Sequence, residues 1–435
     1  DPANGSIQKL FTEDNNLIVF QENKVNQALI DKDAIYSAEG APIQTTSNVV
    51  IGQIVPYLGR FGIGKNPESF AQFGFRKYFV DPNRGTVMRL SRDGLTEISK
   101  SGMKDFFRDK ITSLNNNYTT NNVEWSYVSG LPSPPQTINE FVVEDLDICS
   151  VYIGSKVLNL VGSSVVDTGA IILNIQALGT SPETYEINVD KPIQPELNGV
   201  FSFDYKSKIV GNWDNFNKYY TVSIQETPSF VSSTEDYYTL SFDEEVKGWV
   251  SFFSYKPSFG FSLKGKYYST SNNGLYEHYV ETPENYGVFY GVPRESTIEF
   301  VVNIEPSLKK VFTTINYEGD NGWQVSSLTS SPTRVDVAPN EINSDSSNVI
   351  YSYEEGLYTD AEGYPQRVGF DRKENLYVSS IESNSLFQNG QVLPTAVMTG
   401  IKGYYMDVSL STDQTTDPQG SKELWSVGTT FIKSS

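Results

Sequence analysis

The chain has 435 residues with 53 acidic and 33 basic side chains, a formal net charge of −20, and a single histidine and a single cysteine. Those counts exclude a multi-histidine zinc or iron site, an internal disulfide and a thiolate cluster. They also disfavour a grip on nucleic acid, because phosphate neutralisation needs an excess of Lys and Arg. Aromatic residues make up 13% and charged residues 20% of the chain, a β-rich, surface-polar composition with apolar material for roughly two to four domains.

The first residue is Asp1 rather than Met, which points to a processed chain or a part of a longer one. No basic-then-apolar leader opens the sequence and no run reaches the ~20 apolar residues of a membrane helix, so membrane insertion is not expected. Residues 10–30 read as short strands, with Leu17, Ile18, Val19 and Phe20 leading to Val25 and Ile30. Residues 75–98 give a second such unit. Tyr78, Phe79 and Val80 form a strand, Asp81 to Gly85 a turn, Val87 to Leu90 a strand, and Arg92-Asp93-Gly94 a hairpin turn of the favoured kind. A helix follows, with Ser101 read as its N-cap and Met103, Phe106, Phe107 and Ile111 on one face.

The character changes over residues 113–198. An Asn-rich entry, a proline-rich stretch at 129–136 that central sheet does not accept, and alternating strands around Gly154 and Gly162 read as a small β domain inserted between blades. Residues 200–225 resume the earlier cadence: Phe201 and Phe203 alternate, Gly211-Asn212 and Asp214-Asn215 read as turns, and Tyr219 to Ile224 alternate again. Residues 241–279 are the most regular stretch. Four short strands carry Trp249, Val250, Phe252 and Phe253, then Phe259, Phe261 and Leu263, then Tyr267 and Tyr268, then Leu275, Tyr276 and Tyr279. Lys256-Pro257, Lys264-Gly265 and Asn272-Asn273-Gly274 separate them, the pattern of an antiparallel meander. Four strands joined in this way make one blade of a β-propeller or one sheet of a sandwich. From about residue 304 a separate β-rich segment begins, with Val311, Thr313, Ile315 and Tyr317 on one strand face and late strands at 398–410 and 425–432. The expected fold is all-β: propeller-like blades over 1–112 and 199–303, an inserted β domain at 113–198, and a C-terminal β-rich domain at 304–435.

Few residues suggest chemistry. A Ser-His-Asp triad has only His278 to draw on, and that residue reads more simply as part of an edge strand. Glu144, Asp145 and Asp147 form an acidic knot, but without the order of an EF-hand loop they read as solvated. Asp243, Glu244 and Glu245 offer carboxylates of the kind a glycosidase pairs across a sugar. Neighbours on a strand point to opposite faces, so they read as a solvent-facing acidic turn. Ser91-Arg92-Asp93-Gly94 misses the spacing of a sialidase turn box, and Gly62-x-Gly64 lacks the pattern of a phosphate loop. Trp249, Tyr255, Tyr267, Tyr276 and Tyr279 fit either a sugar-stacking platform or inter-blade packing. Trp249, Phe252, Phe253, Tyr255, Trp213 and Tyr78 stand as packing or interface candidates. No catalytic, cofactor-binding or metal-binding residue is assigned.

Several strings resemble virion structural proteins of tailed bacteriophages, as in cyanophages and crAss-like phages. They include Gln21-Glu22-Asn23-Lys24-Val25, Lys65 to Phe70, Tyr78-Phe79-Val80-Asp81 with Arg84-Gly85, Lys247 to Pro257, Phe300 to Asn303 followed by Ile315 to Gly319, and Gly369 to Asn375. The resemblance implies a propeller-bearing tail protein of the muzzle, nozzle or baseplate type, without enzymatic residues to carry over. Its partners would be other tail proteins and copies of itself around the tail axis, with DNA passing nearby at most and no specific binding. It would be assembled in the host bacterial cytoplasm and reside in the virion tail. A tail-associated polysaccharide depolymerase and a glycan- or receptor-binding propeller are the alternatives.

Overall fold

The computed structural model describes residues 2–13, 16–36, 42–114, 118–119, 123–126, 138–144, 156–161, 164–178, 184–194, 200–205, 207–226, 237–271, 274–330, 334–335, 342–343, 349–353, 369–381, 400–416 and 421–434. Two units divide the chain, Asp1–Tyr279 and Val280–Ser435. The first begins with β1 (Ile7–Glu13), β2 (Asn16–Gln21), β3 (Val25–Tyr36) and β4 (Pro42–Pro56), paired in chain order as an antiparallel meander. A second meander follows from β5 (Ala71–Phe73), β6 (Arg76–Asp81), β7 (Thr86–Ser91) and β8 (Gly94–Glu97).

Helix α1 (Lys104–Ser113) comes next and turns Phe107 and Ile111, one helical turn apart, into the core. It does not start on Ser101. A short 3-10 turn over Ile98–Lys100 runs into Gly102, whose φ of +81° no side chain favours, so the cap position falls on Met103 and no side chain caps the helix.

A seven-stranded sheet is then built from β9 (Tyr118–Thr119), β10 (Val123–Ser126), β11 (Ile138–Glu144), β12 (Lys156–Val161), β13 (Ser164–Ala177), β14 (Thr184–Ile193) and β15 (Val200–Tyr205). The long β13 bends at Gly169, where φ is +70°; its first part pairs β12 and its second pairs β14. Phe141, Val157, Ile187, Phe201 and Phe203 give this sheet a core of its own. Phe201 and Phe203 therefore do not open a third blade, as their alternation suggested.

The third meander is β16 (Lys208–Asp214), β17 (Tyr219–Gln225), β18 (Tyr237–Asp243) and β19 (Gly248–Phe253), followed by a three-stranded sheet of β20 (Phe259–Leu263), β21 (Lys266–Ser271) and β22 (Gly274–Glu277). Two expectations change here. Gly211-Asn212 is strand rather than turn: a Cβ on Gly211 would lie 1.9 Å from the Ser69 carbonyl oxygen, so the glycine serves a close backbone approach. The four strands of 248–277 also split between sheets, because Lys256-Pro257 leads out of β19 and Pro257 has no N–H for a ladder. Both residues are buried, and Gln225 Nε2 donates to the Pro257 carbonyl at 2.7 Å.

One hairpin design recurs. Asp81, Asp214 and Asp243 each end a strand, and the fourth residue after each, Gly85, Lys218 and Lys247, takes a left-handed φ of 62°, 65° and 55°. The Asp214 carboxylate accepts from the Phe216 and Asn217 amides at 2.8 and 3.3 Å, and Asp243 accepts from the Glu245 amide at 2.6 Å. Such Asx contacts replace the ladder bonds the turn gives up.

The first two meanders pack through Ile18, Phe20, Val25, Phe79 and Met88. The second, the third and α1 share Tyr78, Val80, Phe107, Ile111, Tyr220 and Leu240. Each fully buried Phe or Leu contributes about 1.5–3 kcal/mol.

In the second unit a short hairpin, β23 (Val288–Phe289) and β24 (Val292–Pro293), precedes β25 (Ser296–Val302), β26 (Lys310–Gly319), β27 (Gln324–Ser330), β28 (Arg334–Val335), β29 (Ile342–Asn343), β30 (Asp371–Lys373), β31 (Leu376–Ser380), β32 (Ile401–Gly403), β33 (Met406–Thr412) and β34 (Leu424–Lys433). β33 lies between β25 and β27, β28 pairs β29, and β26 joins β31, β32 and β34, with β30 beyond β31. Phe312, Ile315 and Tyr317 of one sheet meet Val325, Met406 and Leu410 of the other in a shared core. The buried Lys310 ammonium donates to the Glu305 and Leu308 carbonyls, each at 3.0 Å.

Candidate functional site

The opening strands β5, β16 and β20 border a common groove of about 770 Å³, completed by the 67–70 turn and Lys9 of β1. Two glycines let those strands approach. Beside Gly211, Gly260 leaves no room for a Cβ, which would lie 2.7 Å from Asn212 Cγ. Side chains then stitch the edges: Ser262 Oγ donates to the Trp213 carbonyl at 2.7 Å and accepts from the Asn215 amide at 2.9 Å, and Lys208 Nζ donates to the Ser258 carbonyl at 3.1 Å.

Two rows of aromatic rings reach it, one through Phe73 and Trp213 and the other through Phe259 and Phe261, and each continues beyond the lining. In one, Phe73 stacks on Trp213 at 4.4 Å between centroids and 10° between planes, Trp213 on Tyr78 at 5.4 Å, and Tyr78 on Tyr220 at 4.8 Å. Tyr220 anchors the inner end by donating to the Ser69 carbonyl at 2.8 Å. On β20 and β21, Phe259, Phe261 and Tyr268 follow at 6.0 and 5.5 Å. Gln72, Asn215, Glu68 and the ammonium groups of Lys9 and Lys208 supply the polar lining.

Tyr78 ties this stack to a charge cluster. Its hydroxyl donates to Glu244 Oε1 at 2.7 Å, while Arg89 Nη1 lies 2.7 Å and Arg76 Nε 3.9 Å from Glu244 Oε2. Burial, and then the Glu244 carboxylate, push the Tyr78 phenol well above its usual range. Glu244 is thus no solvated turn residue. It joins the third meander to the second, and its tie to arginines far off in sequence was invisible in the local pattern.

His278 is likewise not an edge residue. It is buried just past β22 among the rings of Tyr255, Tyr267 and Tyr279, with Nε2 2.6 Å from Ser269 Oγ. Burial pushes the imidazole down to about 4. The Tyr279 hydroxyl donates to the buried Asp214.

Of the other residues singled out from sequence, Tyr78, Trp213 and Tyr255 are buried. Trp249 packs on Phe107 at 4.5 Å and donates from Nε1 to the Ile98 carbonyl at 3.2 Å. Phe253 lies against Tyr255 at 5.5 Å, and Phe252 is 57% exposed, its ring 5.5 Å from Phe106. The alternative of a platform of Trp249, Tyr255, Tyr267, Tyr276 and Tyr279 does not form one surface, since Tyr255 and Tyr267 are buried. Asp145, Asp147, Cys149 and the side chain of Glu144 lie outside the described residues. Among the described residues no group of three His, Cys, Asp or Glu side chains is placed to hold a metal, and no helix is long and apolar enough to cross a membrane.

Residues 284–384 match the family model of the crassvirus muzzle protein C-terminal domain. The matched stretch lies wholly in the second unit and spans β23 to β31. It bears out the resemblance to tail muzzle proteins of crAss-like phages and supports a structural component of the phage tail, associated with other virion tail components. The all-β class is borne out as well, as many small antiparallel sheets. No curated protein matches the chain.

Proposed function

We propose that the chain is a non-enzymatic structural protein that assembles with copies of itself in a ring around the phage tail axis. The match of residues 284–384 to the muzzle C-terminal domain carries this reading. The consecutive meanders of the first unit are read as propeller-like blades, with 113–198 and the adjoining β15 inserted between them and the C-terminal β domain following. A ring needs heterologous contacts that close by rotation, so each copy must present two different complementary faces. Exposed apolar side chains such as Phe252, Leu275, Trp425 and Ile432 are the natural material for them. With a net charge of −20, walls facing the axis would let DNA pass without specific binding.

Against a depolymerase stands the fate of the carboxylates. Glu244 is spent on two arginines and Tyr78, Asp214 on its own turn and the Tyr279 hydroxyl, and among the described residues one carboxylate, Glu68, lines the groove. Glycoside hydrolysis needs two, roughly 5 to 9 Å apart. Incubating the protein with host envelope polysaccharides and assaying new reducing ends tests this. No cleavage is expected; cleavage abolished by a single Asp or Glu substitution would overturn the non-enzymatic reading.

A further inference from the structure

The groove between β5, β16 and β20 has a chemistry that the structural role leaves unused. Its walls present ring faces and edges rather than a closed apolar cavity. Phe259 is 58% exposed at the head of its row, and Phe73, 37% exposed, carries the core stack out to the surface. Beside them lie the Gln72 and Asn215 amides and the Glu68 carboxylate, groups that donate and accept, with Gln72 Nε2 also donating to the Gly74 carbonyl at 3.1 Å. Lys218, held by Asn215 Oδ1 at 2.9 Å, reaches over Phe73 with its ammonium 5.6 Å from the ring centre.

A pyranose ring matches this pairing of surfaces. One of its faces consists of C–H groups with partial positive charge, which meet the negative face of an aromatic ring. Its rim carries hydroxyls that each donate and accept, as side-chain amides and carboxylates require. A peptide added as an extra strand matches less well, because it needs open backbone edges. Here Lys208 and Ser262 already occupy carbonyls at the edges of β20 and β16. The volume lies in the range of small-ligand sites, roughly 300–1,000 Å³. With Glu68 the one carboxylate among the described lining residues, the groove suits holding a sugar rather than hydrolysing it.

We propose that this groove binds a short oligosaccharide, with a sugar ring packed on Phe259 and hydroxyls paired with Gln72, Asn215 and Glu68. The proposal does not depend on ring assembly in the tail. The test is to titrate the full chain with cellohexaose, xylohexaose, mannohexaose and hexagalacturonate, using saturation-transfer NMR and calorimetry. At least one hexaose is expected to bind saturably. Phe259→Ala, which alters a surface ring, should weaken that binding about tenfold, the scale of one aromatic contact, with an unchanged melting temperature. Gln72→Ala, also at an exposed side chain, should weaken it as well. Absence of saturable binding by all four hexaoses, or binding indifferent to Phe259→Ala, would overturn the proposal. So would saturable binding of peptides from a virion digest when no hexaose binds.

Discussion

Trp249 joins the third meander to α1 and the 98–100 turn through one side chain, packing on Phe107 and Phe242 and donating to the Ile98 carbonyl. Trp249 is partly buried, so Trp249→Ala should lower stability by about 2 kcal/mol, below the range of fully buried Trp truncations, measured by denaturant unfolding. An unchanged midpoint would show that these contacts carry no weight. His278 makes a second residue-scale test. In the folded chain its imidazole is pushed down to about 4 from a usual 6.5, so the unfolded chain takes up that proton first as the pH falls. The histidine's effect is then absent above pH 6.5, destabilising through the window, and complete near pH 4, with a total of about 3 kcal/mol. His278→Gln should remove that increment, so the difference in stability between the two proteins should change across this window. A difference that stays flat would contradict the buried, neutral imidazole. That Trp249 packs could be anticipated from its place in an aromatic strand; the seclusion of His278 could not, because Tyr255 reaches it from the connection after β19 and Tyr267 from β21.

Strands, their order and the turns at Asp81, Asp214 and Lys264-Gly265 were legible at the level of the element, because alternation and turn chemistry act over a few residues. What alternation does not encode is which sheet a strand joins. Phe201 and Phe203 alternate as well in the inserted sheet as they would in a blade, and the change of sheet at Pro257 lies inside an unbroken rhythm of strands. The same holds for the groove: Gly211 reads as a turn until the Ser69 carbonyl is seen against it. Gly211→Ala should destabilise the first unit through that clash, read as a lower melting temperature. The seven-stranded sheet gives a larger test. Ser207 Oγ donates to the Leu114 carbonyl at 2.5 Å, so the two ends of the segment meet. Replacing residues 115–206 by a short Gly-Ser linker should leave a cooperative thermal transition, since insertions with adjacent ends are removable. A linker after residue 198 would instead leave β15 without partners. Loss of the cooperative transition in the longer deletion would refute the independence of the insert.

Across the whole molecule, composition gave a β-rich chain with few catalytic groups, because one histidine and one cysteine leave so few constellations to build, and the run of short strands and turns gave the all-β class. Composition holds nothing about assembly, which depends on faces brought together from distant segments; the match of residues 284–384 supports a tail component and leaves the ring to experiment. The proposed role of this chain is a structural part of a phage tail, arranged in a ring. Single-particle imaging of intact virions tests it most directly, by fitting each of the two units separately into the tail density. Both units are expected in several symmetry-related copies around the tail axis. Tail density that accommodates neither unit, or holds one unrepeated copy off the axis, would contradict the account.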